Sequence, residues 1–284
     1  MDILFAVLYA VMIGFYNVCK KLSLQKSHSS AVLALFSTTA FICSLLWLPF
    51  GVIVPWNLFG ILFLKGFLIA VSWFFILKIL KNVDLTIVTV TDVLSAGLSF
   101  VLGMLLFGET ASWLQIVGAV LVVLSVVAIN LCSRHSQGSA HKLQILGLLF
   151  SAMISTTCSV FDKYTTTYLT PYQVQFWFLF SVCVFAWLFF GVECLRNKTY
   201  LIKKQDFGNL WIYLAGFLLF LGDFFLFQAY KVPGSKMIVI SILAKLKVII
   251  AVLVGILIMK EKQIGRKIFF TGTVILGAIL LSVF

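Results

Sequence analysis

The sequence predicts an all-α membrane protein: ten transmembrane helices arranged as two inverted five-helix repeats. Three observations carry that prediction. The 284 residues are 62% hydrophobic and 11% charged, with a mean hydropathy of +1.15, which no soluble domain of this length matches. Apolar runs of about twenty residues recur along the chain, the length at which a helix crosses hydrocarbon while satisfying its own backbone. The second half also repeats the first. Ile3, Leu4, Ala10, Val18 and Lys21 align with Ile145, Leu146, Ala152, Val160 and Lys163, and the segment Gly103–Glu109 aligns with Gly255–Glu261. With five spans in each half, an odd number, the two halves must lie inverted in the membrane.

Taken in order, the spans fall at roughly 2–19, 31–54, 56–80, 85–107, 111–133, 143–162, 172–194, 208–230, 236–259 and 268–284. Linkers are short and leave no room for a soluble domain. The polar stretch Arg134–Lys142 separates the halves, giving repeats over 1–135 and 142–284. The first span lacks a basic leader and matches the sixth, so it is read as part of the fold and not as a signal peptide. Six cysteines (Cys19, Cys43, Cys132, Cys158, Cys183, Cys194) lie in spans or at their ends without a C-x-x-C pair. Small buried hydrophobes are the simplest reading of them, and neither a disulfide framework nor a metal site is expected. His28, His135 and His141 fall in loops.

The net charge of +12 is not a nucleic-acid signal, because its distribution follows the positive-inside rule. With the N-terminus on one side, the loops of the opposite side collect about fifteen basic residues, among them Lys20, Lys21, Lys78, Lys81, Arg134, Arg196, Lys204 and Lys267. The N-terminal side holds only Lys163, Lys231 and Lys236. The lysine-rich side is therefore read as cytoplasmic, in a plasma (inner) membrane with both termini outside.

Several local patterns mark a family. Phe107-Gly108-Glu109 closes the fourth span, Lys260-Glu261 closes the ninth, Asp162-Lys163-Tyr164 ends the sixth ahead of Pro171, and Lys231-Val-Pro-Gly234 joins the eighth to the ninth. The chain resembles the drug/metabolite transporter superfamily, EamA type, over its whole length. That resemblance implies two five-span repeats and export or uptake of amino acids or other small metabolites; related branches move sugar nucleotides, sugar phosphates or lipid-linked sugars. Many relatives carry a proline about fourteen residues before the glutamate of each half. Here those positions are Ser95 and Lys247, and a lysine there resembles the phosphate- and nucleotide-sugar branch. The outward termini depart from the commoner arrangement of such proteins.

Ionisable residues at mid-membrane are costly and mark a pathway or a pair. Lys65, Asp92, Asp223, Lys245 and Lys247 are the candidates. Asp92, Ser95 and Ser99 form one helical stripe at i, i+3, i+7. The repeat places Ala244, Lys247 and Ala251 on the equivalent face, so Asp92, Ser95 and Lys247 are expected to look into a central cavity. Lys247 is either a solute contact or half of an ion pair with Asp92 or Asp223. Lys245, about 200° around an α-helix from Lys247, is expected to point elsewhere. Asp223 aligns with Trp73, and Lys65 lies near the same region. Asp223 is the coupling candidate, either carrying a proton or balancing Lys65 or Lys247. On the first span, Ala6, Ala10, Ile13 and Asn17 form a stripe of packing residues with Asn17 as a further solute contact. Tyr16, Trp73 and Gln228 are placed to line the cavity, while Gln173, Gln175 and Trp177 open the seventh span. Glu109 and Glu261 read as helix-terminus residues.

The functional expectation is a secondary transporter that moves a small polar metabolite, anionic or amino-acid-like, by alternating access. The alternative is a flippase for a lipid-linked sugar or phosphate. An intramembrane enzyme is not expected, since no H-E-x-x-H or G-x-S-x-G motif is present. No cofactor and no nucleic acid is called for. The expected partners are the solute and membrane lipids, with room for a homodimer.

Overall fold

The computed structural model describes residues 1–83, 85–92, 94–109, 112–133, 140–197, 204–257 and 264–282. Among them every regular element is helical. The first is α1 (Asp2–Ser23), with Asp2 in its first turn and Lys20 and Lys21 in its last, each sign where the helix dipole favours it. Next, α2 (Ser29–Ser44) tightens into a 3-10 segment, Leu45–Phe50, that contains Pro49 and ends at Gly51, whose φ of 78° is a left-handed turn suited to glycine. There follow α3 (Trp56–Leu80), α4 (Leu85–Asp92), α5 (Leu94–Phe107) and α6 (Trp113–Ser133). The second half comprises α7 (Ala140–Tyr168), α8 (Pro171–Asn197), the short α9 (Lys204–Phe207), α10 (Leu210–Lys231) and α11 (Met237–Leu243). A 3-10 turn (Ala244–Leu246), α12 (Lys247–Leu257) and α13 (Ile264–Ser282) complete it.

Among the described residues, six stretches are long and apolar enough to cross a membrane: Asp2–Ser23, Ser29–Phe50, Trp56–Leu80, Pro171–Arg196, Leu210–Lys231 and Met237–Val254. Two shorter apolar helices, Gly97–Phe107 and Trp113–Ser125, accompany them. The chain is an all-helical, multi-pass membrane protein.

Helix starts follow local chemistry. At the head of α6, Ser112 Oγ accepts from the Gln115 amide (3.3 Å) while Gln115 Oε1 accepts from the Ser112 amide (3.0 Å). Thr170 and Gln173 make the same reciprocal pair at the head of α8, with Pro171 at the first helical position. The start of α11 is satisfied from a distance. Gly108, at φ 63°, turns the chain after α5, and the Glu109 carboxylate accepts from the amides of Met237 (2.6 Å) and Ile238 (3.0 Å). Glu109 is thus a helix-terminus residue, as expected, but the terminus belongs to the other half of the chain. Glu261 lies outside the described residues.

Packing joins the halves. α1 lies along α10, and its aligned counterpart α7 lies along α3; α2 meets α8, and α6 meets α13. Aligned residues do aligned jobs. Lys21 Nζ donates to the carbonyls of Leu80 (2.5 Å) and Val83 (2.8 Å) after α3. Lys163 Nζ donates to the Ser235 carbonyl (2.5 Å) and hydroxyl (3.0 Å) after α10. Two glycine seats set the interhelix distances. A Cβ on Gly66 of α3 would stand 2.4 Å from the Ser181 Cβ of α8, and one on Gly216 of α10 would stand 2.5 Å from the Phe36 carbonyl oxygen of α2. Side chains this small let backbones approach where lipid supplies no hydrophobic drive. Cys19, Cys43, Cys158, Cys183 and Cys194 are free thiols.

These seats are testable. Gly66→Ala should lower stability by about 1–3 kcal/mol through overpacking. Gly60→Ala, on the same helix with no atom within 4 Å of the new methyl, should change little. Thermal unfolding in detergent compares the two.

Candidate functional site

Between the halves lies a cavity of about 150 Å³. α1 lines it with Tyr9, Ile13, Tyr16, Asn17 and Lys20, and α3 with Lys65, Ser72 and Trp73. Asp92 enters from α4, Ser151, Ser155, Ser159 and Asp162 from α7, Asp223 from α10, and Lys247 from α12. The sequence-predicted residues Lys247, Asp92, Asp223, Lys65, Trp73, Asn17 and Tyr16 are therefore brought together on one wall-to-wall surface. Ser95 stands just behind it. Gln228 does not line it. Gln173, Gln175 and Trp177 are tied up elsewhere: Gln173 caps α8, Gln175 accepts from the Trp47 indole (3.0 Å) and donates to the Phe220 carbonyl (2.5 Å), and Trp177 donates to the Val52 carbonyl (2.6 Å).

The first charged cluster corrects the sequence reading of the ninth span. Asp92 Oδ2 accepts from both Lys247 Nζ (2.7 Å) and Lys245 Nζ (3.0 Å). Lys245 also donates to Ser95 Oγ (2.6 Å), whose hydroxyl donates to the Asp92 carbonyl (2.7 Å). The two lysines were expected to diverge. They converge because residues 244–246 wind as a 3-10 turn, which advances about 120° per residue instead of 100°. Two steps then leave the side chains about 120° apart in place of about 160°, within reach of a common carboxylate for stems four carbons long. The ion pair between Lys247 and Asp92 is formed, and Lys247 also lines the cavity.

The second cluster corrects the reading of Lys65 and Asp223. Lys65, 2% exposed, forms a salt bridge with Asp162 and lies over the rings of Phe178 (3.7 Å) and Phe227 (4.7 Å). Asp162 was taken to end a span. α7 continues to Tyr168, which places Asp162 inside the bundle, where a buried lysine needs an anion. A lysine at mid-span was itself the signal that such a partner existed. Asp223 was expected either to carry a proton or to balance Lys65 or Lys247, and both lysines pair with other carboxylates. Asp223 is 7% exposed and its Oδ2 has no hydrogen-bond partner among the described residues.

Two further groups face the same space. The Tyr16 hydroxyl, also buried, has no partner among the described residues, while its ring meets Trp73 and Phe36. Lys20, 5% exposed, holds its ammonium 4.2 Å from the Tyr16 ring centroid and makes no salt bridge among the described residues. Sequence reasoning missed Lys20. It was counted as a loop charge at the end of the first span, whereas α1 continues to Ser23 and turns it inward. Ser72 and Ser151 hydrogen bond across the cavity wall at 2.5 Å, tying α3 to α7.

The Lys65–Asp162 bond gives a clear expectation. Lys65→Met alone strands a buried carboxylate and should cost about 3–5 kcal/mol, whereas the double change with Asp162→Asn should recover most of it. Unfolding midpoints of the two variants against the parent provide the comparison.

The chain resembles known proteins in two respects. A protein known from a crystal structure shares the fold with a TM-score of 0.72 at 14% identity, over 96% of this chain and 94% of its own. No curated protein matches the sequence. Residues 1–131 match the EamA-like transporter family, in agreement with the drug/metabolite transporter pattern read from Phe107-Gly108-Glu109 and its neighbours. The first half of the chain is thus similar to EamA-like transporters, in an integral, multi-pass, all-helical membrane protein.

Proposed function

We propose that the protein is a secondary transporter for a small polar solute bearing an anionic group, working by alternating access around the cavity between two inverted five-helix repeats. The observation that carries the proposal is the cavity itself. Three buried lysines (Lys20, Lys65, Lys245), two buried aspartates (Asp162, Asp223) and the half-buried Lys247 and Asp92 gather where α1, α3, α4, α7, α10 and α12 meet. A bilayer protein does not keep so many charges for packing alone, because each is costly at that depth. Two of the clusters are bonds between the halves, Asp92 to Lys245 and Lys247, and Lys65 to Asp162. Rocking one bundle against the other would strain or exchange these bonds, which makes them natural elements of a two-state cycle.

The repeat boundary at 135–142 agrees with the packing, in which α1 and α7 exchange partners across the chain. Inverted repeats place the site near the middle of the bilayer, and the distribution of basic loops favours a plasma-membrane orientation with both termini outside. Asp223, which makes no ion pair among the described residues, is the carboxylate we assign to meeting a cation, whether a coupling ion or the solute's own. No part of this cycle asks for a covalent step or a cofactor.

Lys247→Ala tests the site. Asp92 retains Lys245, so the protein should fold, while uptake of an anionic solute into proteoliposomes should fall at least tenfold. Undiminished uptake would remove Lys247 from the solute path. Orientation is tested separately at Ser136, which lies outside the described residues. A cysteine placed there should resist an impermeant thiol reagent in intact cells, and rapid labelling would invert the topology.

A further inference from the structure

Among the described residues, two charges that line the cavity make no salt bridge, while Lys65, Asp92, Asp162 and Lys247 each do. Lys20 has only the face of Tyr16 beneath it, and Asp223 Oδ2 has no partner among the described residues. They carry opposite charges, line one cavity, are each more than nine-tenths buried and do not pair with each other. In low dielectric two such groups attract strongly, so the fold must hold them apart.

The distance follows from α1. Gly222, the residue before Asp223, faces Ile13: a Cβ there would meet Ile13 Cδ1 at 2.8 Å. Lys20 is seven residues further along α1, about 10 Å down the axis at 1.5 Å per residue. Its side chain bends back toward Tyr16, as helical side chains lean toward the N-terminus. The Tyr16 hydroxyl, without a partner among the described residues, belongs to the helical turn between them.

We infer that Lys20 and Asp223 are the two ends of the solute site, and that the solute is dipolar, with its anionic and cationic groups separated by several bonds. An oxyacid group meets Lys20, a protonated amine meets Asp223, and a polar atom of the intervening chain meets the Tyr16 hydroxyl. An α-amino acid, whose two charges sit on adjacent carbons, is too short to reach both. The inference rests on the transporter reading and refines it, since that reading requires only an anionic group and Lys247.

The test is a length series. Binding of glycine, β-alanine, γ-aminobutyrate and 6-aminohexanoate is measured by calorimetry on the purified full-length protein in detergent, beside n-butyrate and n-butylamine as singly charged controls. A phosphoryl counterpart, 4-aminobutyl phosphate, distinguishes a carboxylate from a phosphate terminus. At least one spaced dipolar compound should bind ten times more tightly than glycine and than either control. Lys20→Met and Asp223→Asn should each reduce that affinity at least tenfold, and Lys20→Arg should restore part of it. Each neutral variant should also lose the preference for the dipolar compound over the control that matches its remaining charge. Equal affinity for γ-aminobutyrate and n-butyrate, no dependence on chain length, or unchanged affinity in Lys20→Met would each overturn the inference. So would a series in which nothing binds. In that case the transporter reading still stands if uptake of another anionic solute depends on Lys247.

Discussion

The bond on which the site depends is the sharing of one carboxylate by two lysines. Asp92 belongs to the first half of the chain, Lys245 and Lys247 to the second. Either lysine alone would be neutralised by Asp92, and both together leave a surplus positive charge inside the bundle. That surplus is stable because Ser95 solvates Lys245 and because the 3-10 turn at 244–246 brings the two ammoniums to one anion. The turn also interrupts the helix in mid-span, which leaves backbone groups near the cavity, where membrane proteins tolerate them. Removing the aspartate would strand two buried cations, a far larger penalty than losing either lysine.

The packing around this bond joins the two halves of the chain. Gly66 seats α3 on α8, and Gly216 seats α10 on α2. Aligned lysines, Lys21 and Lys163, anchor the connections that follow α3 and α10. At the opposite end from Lys20, Glu109 fastens α5 to the first turn of α11. Charge, small side chains and helix termini thus all act across the contact between the halves.

Much of this was legible in the sequence. Hydropathy located the helices, and the alignment of Ile3–Lys21 with Ile145–Lys163 put Lys21 and Lys163 at equivalent positions, where the structure gives them equivalent work. The stripe through Asp92 and Ser95 pointed to the cavity, as did the isolated charges Lys65, Asp223 and Lys247. The pairings were not legible. Periodicity assumes a uniform helix, so the 3-10 turn that redirects Lys245 could not be foreseen. Hydropathy windows end a span where polar residues begin, so α1 and α7 were cut short, with Lys20 placed in a loop and Asp162 at a span end. Both errors have one physical cause: a protein-lined cavity lets a helix carry polar residues deeper than lipid would allow.

The exchange of partners between α1 and α7 has a consequence for how such a chain can be assembled. α1 finds most of its neighbours among α10, α11 and α12, and α7 finds most of its own among α3, α4 and α5. Severed between α6 and α7, neither fragment could cover its own first helix. Each would remain an open half-shell until it met the other, so co-expressed fragments should rebuild the molecule while a lone fragment should be degraded. The connection between the halves serves mainly to fix their stoichiometry at one to one.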